Sequence, residues 1–524
     1  MAGGGSDRRD AGVSEELVET ATSVASPAEP ADSGTRTFKT GGRSLREHTA
    51  RGTVINTAFM VGLALMALVR GVILAALLSP EDYGLWGLLA VSIGTVLWLK
   101  HVGIGDKYIQ QDEEDQEAAF HKAFTLELMF SAITLVLLAA SLPLFATIYD
   151  EPRMILPGLV CLVAIGVSAL QAPLWIFYRR MQFVRQRSLQ AIDPVVAMLV
   201  SIPLAAIGLG YWAIAVGMVA GAVASALAAL VKSPYKPRLR YERATLRSYW
   251  TFSVPLFIRG GASLIIAQSA VIAVQADLGL AAVGAVNLAT TLTAFTQRVD
   301  HLVTGTMYPA ICAMRDRTEL LYESFVKSNR LALMWAVPFG TALALFGADF
   351  IHYVLGDKWE PALELLQVTG FVAAIGHIGF NWDAYFRARA DTKPMAVASV
   401  TAMVTFLAVG LPLLFTYGLK GLAAGIAAQT LAHMLCRAYY LRRLFHGFDF
   451  LRHASRAIAP TFPAIAAVLF LRLVEPDDRT VVHALSELVI YVAVTAVATW
   501  WLEGRLVREA LGYLRRRSMA GAAA

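Results

Sequence analysis

Long apolar stretches, most of them about 18 to 25 residues, recur along the whole of this chain and leave it few ways to fold. About 20 apolar residues in helical form cover a hydrocarbon core of about 30 Å, so runs of this length cross a bilayer as helices. They fall near 53–78, 84–102, 119–142, 154–177, 191–209, 211–231, 251–274, 279–300, 330–352, 362–386, 395–417, 418–441, 456–474 and 483–502. The runs 191–231 and 395–441 are divided at Gly-rich centres, Gly208-Leu-Gly210 and Gly418-Leu-Lys-Gly421. Those two divisions decide between fourteen spans and a count of twelve or thirteen.

Composition agrees. Of 524 residues, 57% are apolar and 16% charged, with a mean hydropathy of +0.56. A soluble domain carries about 25% charged residues. The formal charge of +6 informs mainly through where it sits. With the amino terminus cytoplasmic, one set of loops holds Arg179, Arg180, Arg185 and Arg187, then Lys232 to Arg247, then Arg387, Arg389 and Lys393, then Arg437, Arg442 and Arg443. About 38 of the 45 Lys and Arg residues fall on that side, 5 on the other and 2 within the membrane. The positive-inside rule then predicts both termini in the cytoplasm.

Residues 1 to about 51 are rich in Ala, Gly, Ser, Pro and charge and show no apolar period. Such a tail buries too little apolar surface to offset its ordering entropy and is expected to be disordered. It has no apolar core of the signal-peptide kind, so the first span serves as its own targeting signal. Cys161, Cys312 and Cys436 are scattered and form no disulfide or metal spacing.

The chain repeats itself about 200 residues on. Gly84-Leu-Trp-Gly-Leu-Leu-Ala90 opens span two and Gly284-Ala-Val-Asn-Leu-Ala289 lies in span eight. Trp175-Ile-Phe-Tyr-Arg179 ends span four and Asp383-Ala-Tyr-Phe-Arg387 ends span ten. Pro203-Leu precedes Gly208 as Pro412-Leu precedes Gly418. Six spans per unit give both units one orientation, a parallel repeat. The expected fold is an all-α membrane protein of about 14 transmembrane helices. Two six-helix lobes, related by internal duplication, carry two extra C-terminal helices. The expected divisions are a tail over 1–50, lobes over 51–250 and 251–450, and helices thirteen and fourteen with a basic tail over 451–524. Gly217-Met-Val-Ala-Gly221 and Gly421-Leu-Ala-Ala-Gly425 are GxxxG spacings, suited to close helix approach or simply common in membrane helices.

Over about residues 51–450 the chain resembles the polysaccharide and oligosaccharide flippases of the multidrug/oligosaccharidyl-lipid/polysaccharide exporter superfamily. The resemblance is carried by Leu78-Ser-Pro-Glu-Asp-Tyr-Gly-Leu-Trp-Gly87, by Phe177-Tyr-Arg179 and Tyr385-Phe-Arg387, and by the tight hairpins Gly208–Ala213 and Gly418–Ala423. It implies lobes that rock about a central cavity in the bacterial inner membrane. The implied substrate is an oligosaccharide repeat unit on undecaprenyl diphosphate, moved from the cytoplasmic to the outer leaflet for exopolysaccharide, capsule or O-antigen. The implied partners are that glycan, membrane lipid and other polysaccharide assembly proteins around a monomer, with no nucleic acid. In related lipid flippases the extra helices offer a groove for the lipid tail, a role open to spans thirteen and fourteen.

Two intramembrane arginines stand out. Arg70 lies 17 residues into span one and Arg259 lies 8 into span seven. At about 1.5 Å per residue each is about 12 Å from an interface, on opposite sides. An arginine at a helix centre costs about 2.5–3.5 kcal/mol on insertion scales, so it snorkels, pairs within a lobe or faces an interior cavity. In the cavity reading the two bind a diphosphate at an inner and an outer station, since a planar guanidinium suits oxyanions. Glu127, in span three, is a partner for an arginine or an ion-coupling carboxylate. Gln268, level with Arg70, suits sugar hydroxyls or helix packing. Asp383, with Asn381 and His377, and Arg298, Asp300 and His301 read first as solvated helix ends and second as a gate or ion site.

No catalysis, cofactor or metal is indicated. There is no GxxxxGK[ST] loop, His/Glu metal pattern or nucleophile elbow. A cation-coupled multidrug antiporter of the same superfamily is the nearest alternative, though such cavities favour carboxylates. A membrane polysaccharide polymerase or ligase is another, disfavoured because the longest outer loop is only about 11 residues.

Overall fold

A computed structural model of the chain describes residues 45–99, 104–110, 113–180, 182–243, 245–246, 261–389, 391–474 and 479–522. The expected disorder of the amino-terminal tail concerns residues that lie almost wholly outside these. Described residues form helices with no strand. Ten helices among them are long and apolar enough to cross a membrane. This is a multi-pass, all-α membrane protein.

The first half runs through α1 (Leu45–Leu77), α2 (Pro80–Leu99), α3 (Gln116–Ile148), α4 (Pro152–Arg179), α5 (Phe183–Ala206) and α6 (Trp212–Lys232). The second half holds α7 (Gly261–Leu278), α8 (Leu280–Thr293), α9 (Thr318–Leu355) and α10 (Leu363–Gly376). It closes with α11 and α12, which share the stretch Lys393–Leu444. Then come α13 (Phe450–Val474) and α14 (Val481–Ala522).

Both Gly-rich divisions are turns. Gly208 (φ 87°) and Gly210 (φ 57°) separate α5 from α6 in the left-handed region that glycine tolerates. Gly418 (φ 61°, ψ −140°) reverses the chain between α11 and α12, bringing Gly421 against the Leu413 carbonyl and Gly425 against Gly410. The GxxxG of α6 is a contact as well. A Cβ on Gly217 would lie 2.7 Å from Ser201 Cβ, and one on Gly221 would lie 2.5 Å from the Asp193 carbonyl, both on α5.

The halves repeat contacts as well as sequence. Arg179 lies over Tyr108 (5.7 Å to the ring centre) on the short helix Ile104–Gln110, and Arg387 lies over Tyr308 (5.1 Å) on Arg298–Ala313. Both arginines mark the end of the molecule where Lys and Arg concentrate, here called the basic end. At the opposite, far end the repeat-related Gly84 and Gly284 face each other. A Cβ on Gly84 would lie 2.0 Å from the Leu280 carbonyl, and one on Gly284 would lie 2.1 Å from the Pro80 carbonyl. Only bare backbones fit this crossing of α2 and α8.

The apolar core follows the same division. One buried cluster draws on both halves and lies toward the far end, from Leu74, Leu85 and Leu142 to Val283, Leu366 and Leu422. Toward the basic end the clusters belong to one half each, around Phe120 and Ile176 in the first and around Phe325 and Tyr385 in the second. The described core therefore joins the halves at the far end and keeps them separate toward the basic end.

Ion pairs fasten α13 and α14 to α9. Near the far end Arg479 binds Asp349 (2.5 and 2.8 Å) and Glu487 (2.7 and 3.0 Å), while Arg472 bonds Glu487 (3.1 Å) and the Leu345 carbonyl (3.0 Å). Near the basic end Lys327 pairs with Glu509 (2.8 Å) and Arg330 with Glu503. These pairs tie the extra helices to α9 of the second half.

Gly84→Val and Gly284→Val should each force α2 and α8 apart and destabilise the closed far end by about 1–3 kcal/mol, the usual cost of overpacking. The check is the distance between spin labels on the two halves at that end, which should lengthen. An unchanged distance in both variants contradicts the crossing.

Candidate functional site

Arg70 sits near the far end of α1, half-buried against α5. Its Nε donates to Ser201 Oγ at 3.1 Å. Asp193, two turns earlier on α5, and Tyr83 on α2 lie within electrostatic reach. Among the described residues its two terminal amino groups have no hydrogen-bond partner. The side chain is thus anchored through one nitrogen and keeps its bidentate edge unoccupied. Of the alternatives read from sequence, a contact within the first half is present in the bond to Ser201. The stripe Asp193–Ala197–Ser201 that meets it is held by Gly217 and Gly221 of α6, so the GxxxG backs the arginine site.

Gln268 takes a different setting. Its amide oxygen accepts from Tyr149 Oη at 2.7 Å, and its Nε2 donates to Thr95 Oγ1. Seven residues on, Gln275 Nε2 donates to the Tyr149 carbonyl at 3.2 Å. Both ends of the Gln268 amide are therefore engaged between α7 of one half and α2 and α3 of the other. Further links join the halves at this end. Trp359 Nε1 donates to the Ala75 carbonyl (2.8 Å), Lys358 Nζ to the Ala76 carbonyl (2.6 Å) and Asn287 Nδ2 to the Tyr83 carbonyl (3.3 Å). Helices in lipid gain no hydrophobic drive toward one another, so such bonds and the Gly84–Gly284 approach hold the end shut.

Arg259 lies outside the described residues. Glu127 is half-buried on α3 and accepts from Ser131 Oγ one turn on (3.5 Å). Asp383 is half-buried on the short helix Trp382–Ala388 at the basic end.

The solvated-end reading around Asp383 needs correction. His377, Asn381 and Asp300 are at most 3% exposed, whereas Arg298 and His301 are exposed. The reason is a break in α10. The helix stops at Gly376, turns through Gly379 (φ 72°) and resumes at Trp382, which frees backbone groups inside the bundle. Arg437 of α12 caps the break by donating from Nη1 to the Gly376 and Ile378 carbonyls (both 2.8 Å). Asn329 of α9 accepts from Gly379 N (2.9 Å), donates to the His377 carbonyl (3.1 Å) and meets His453 Nε2 (2.8 Å). Asp300 and Asp383 are the carboxylates that act on Arg437. Sequence reasoning placed Arg437 in a basic loop with Arg442 and Arg443, yet it is 2% exposed. Its position inside an apolar run, four residues after His433, was the available signal.

After α6 the chain returns along α3. His121 Nε2 meets the Lys236 carbonyl (2.9 Å), Thr125 Oγ1 accepts from Arg240 N (2.7 Å) and Lys122 pairs with Glu242 (2.5 Å). Lys122 holds the Glu242 carboxyl below the usual carboxylate range. The segment leaving the first half is thereby strapped to it. Among the described residues no group of three His, Cys, Asp or Glu side chains converges as a metal site.

Residues 73–364 match the family model described as "Polysaccharide biosynthesis protein". The chain is 23% identical over 462 residues to the succinoglycan biosynthesis transport protein ExoT of Rhizobium meliloti (strain 1021), covering 79% of this chain and 90% of that one. It is 22% identical over 348 residues to the lipopolysaccharide biosynthesis protein WzxC of Escherichia coli (strain K12), covering 64% and 69%. In fold it is similar to the lipid II flippase MurJ in an inward closed conformation (TM-score 0.65, 12% identity, 87% of this chain and 100% of that one). An inward-facing multidrug resistance MATE family transporter of the MOP superfamily is also similar (TM-score 0.58, 13% identity, 75% and 98%). These two likenesses speak for the fold alone.

Arg437→Met should destabilise the protein by about 1–3 kcal/mol, because it leaves the buried Gly376 and Ile378 carbonyls without their donor. The thermal unfolding midpoint in detergent should fall, with Arg437→Lys between the two. Melting like that of the unaltered protein contradicts the capping role.

Proposed function

Because the chain belongs to the polysaccharide biosynthesis protein family, we propose that it is a flippase for lipid-linked oligosaccharide, working by alternating access in the bacterial inner membrane. The observation that carries this reading is Arg70, whose terminal amino groups are unbonded by described residues just beneath a closed far end. A substrate anion entering from the basic end meets that edge before it meets the shut crossing of α2 and α8. A diphosphate offers paired oxygens that two parallel N–H donors match.

The basic end is read as cytoplasmic from its Lys and Arg excess, with both termini on that side. Transport then runs from the cytoplasmic to the outer leaflet. The substrate in this reading is an undecaprenyl-diphosphate-linked repeat unit. Arg259, at the depth assigned from sequence, supplies an inner station and Arg70 the outer one. Gln268, released from Tyr149 and Thr95 when the far end parts, becomes available to sugar hydroxyls. Glu127 and Asp383 are the carboxylates proposed for ion coupling or internal pairing. Apolar side chains such as Phe470 and Leu473 are exposed on α13, consistent with a path for the lipid tail along α13 and α14.

A cation antiporter shares the fold but would need a carboxylate where Arg70 stands. A polymerase or ligase is less favoured, since a relative with 90% of its length covered carries the name of a transport protein.

In a strain whose surface polysaccharide depends on this chain, Arg70→Ala should cut polysaccharide output at least about tenfold, the scale of one charged hydrogen bond. Protein level in the membrane should be unchanged. Arg70→Lys should keep part of the output, because it retains charge but loses the planar fork. Arg259→Ala should behave as Arg70→Ala does. Normal output from Arg70→Ala at normal abundance would falsify the anion site.

A further inference from the structure

The first turns of α13 form a helix with three different faces. Phe450–Ile458 starts behind Asp449, whose Oδ1 accepts from Leu451 N (3.0 Å) and Arg452 N (3.2 Å). About 100° separates successive helical residues, so Phe450, His453 and Ala457 share one side, and these are the buried ones. Leu451 is 74% exposed and, with the half-buried Ile458, makes an apolar edge. Arg452 and Arg456 are exposed and make a cationic edge beside it. Arg442 and Arg443, in the last turn of α12, are exposed as well. Among the described residues none of these four arginines has an ion-pair partner, whereas Lys327 and Arg330 at the same end pair with Glu509 and Glu503. Unpaired arginines beside an exposed leucine fit a ligand that is anionic and apolar at once.

We propose that this surface holds an anionic phospholipid of the leaflet at the basic end, its headgroup phosphate on Arg452 and Arg456 and its chains along Leu451 and Ile458. Phosphate oxygens suit planar guanidinium donors. Arg442 and Arg443 add positive potential at the same end. Here α12 leaves the membrane and α13 enters it, so the arginines and the leucine stand where headgroups and chains meet. A soluble anion uses the cations and leaves Leu451 bare. The lipid also sits one side chain from the break in α10. On the buried face of the same helix His453 Nε2 meets Asn329 Oδ1 at 2.8 Å, the atom that also accepts from Gly379 N. Anchoring this helix to the leaflet therefore steadies the second half at its basic end, whatever the chain transports.

The test uses the full chain in a neutral detergent, stripped of lipid, with native mass spectrometry reading bound lipid during a titration. Dioleoyl phosphatidylglycerol should bind about fivefold or more tightly than phosphatidylcholine with the same chains, the worth of one arginine near an anionic headgroup. Arg452→Gln with Arg456→Gln should weaken phosphatidylglycerol by about fivefold or more and leave phosphatidylcholine unchanged. Leu451→Ser should weaken both lipids alike. Arg238→Gln with Arg243→Gln removes the same charge from exposed arginines elsewhere at the basic end and should leave phosphatidylglycerol affinity unchanged. Glycerol phosphate, the headgroup without chains, should bind at least about a hundredfold more weakly, as loss of several buried CH₂ groups requires. Undiminished phosphatidylglycerol binding without Arg452 and Arg456 overturns the proposal. So does an equal loss without Arg238 and Arg243, which reduces the effect to net charge. Tight binding of glycerol phosphate assigns the surface to a soluble anion and overturns it too.

Discussion

Two halves of a membrane protein cannot rely on the hydrophobic effect to find each other, because lipid is as apolar as their side chains. Close backbone approach and a few hydrogen bonds must do it instead. Here Gly84 and Gly284 let α2 and α8 touch backbone to backbone, each glycine against a carbonyl of the other helix. The links from Trp359, Lys358 and Asn287 surround that crossing, and Gln268 joins the halves further along α2. Each is a polar contact that can be exchanged for water or substrate. The apolar cluster shared by the halves lies behind it, while toward the basic end each half keeps its own core.

The charge placed beneath this closure gives it a use. A guanidinium fully satisfied by protein would be a structural strut. Arg70 instead spends one nitrogen on Ser201 and presents the rest, with Asp193 near enough to moderate its charge without a direct hydrogen bond. Arg437 is the contrast. It is buried, bonded to two carbonyls of the broken α10 and flanked by carboxylates, so it reads as a brace for the second half. Similar residues in the same bundle thus differ in how many of their donors the protein itself commits.

Much of this was legible in the sequence. The apolar runs, the turns at Gly208 and Gly418 and the repeat of Gly84 at Gly284 follow from hydropathy and spacing. Arg70 announced itself by the cost of its charge. The face-to-face meeting of the two glycines could not be read, because a parallel repeat does not say which copies touch across its axis. Arg437 was hidden by its closeness to Arg442 and Arg443, a few residues from the true helix end. His377 and Asn381 looked like solvated ends because a helix break inside a bundle leaves the same polar cluster as a helix leaving the membrane.

The most direct measurement is to lock the closed end and ask whether transport stops. Ala76→Cys with Lys358→Cys, in the background free of Cys161, Cys312 and Cys436, places thiols across the link between Lys358 Nζ and the Ala76 carbonyl. A short thiol-reactive, reducible crosslinker then joins the halves at that point in cells that depend on the chain for surface polysaccharide. The expected result is full output before crosslinking, none after it and recovery with reductant. Undiminished output from fully crosslinked protein would contradict a far end that must open for the substrate to leave.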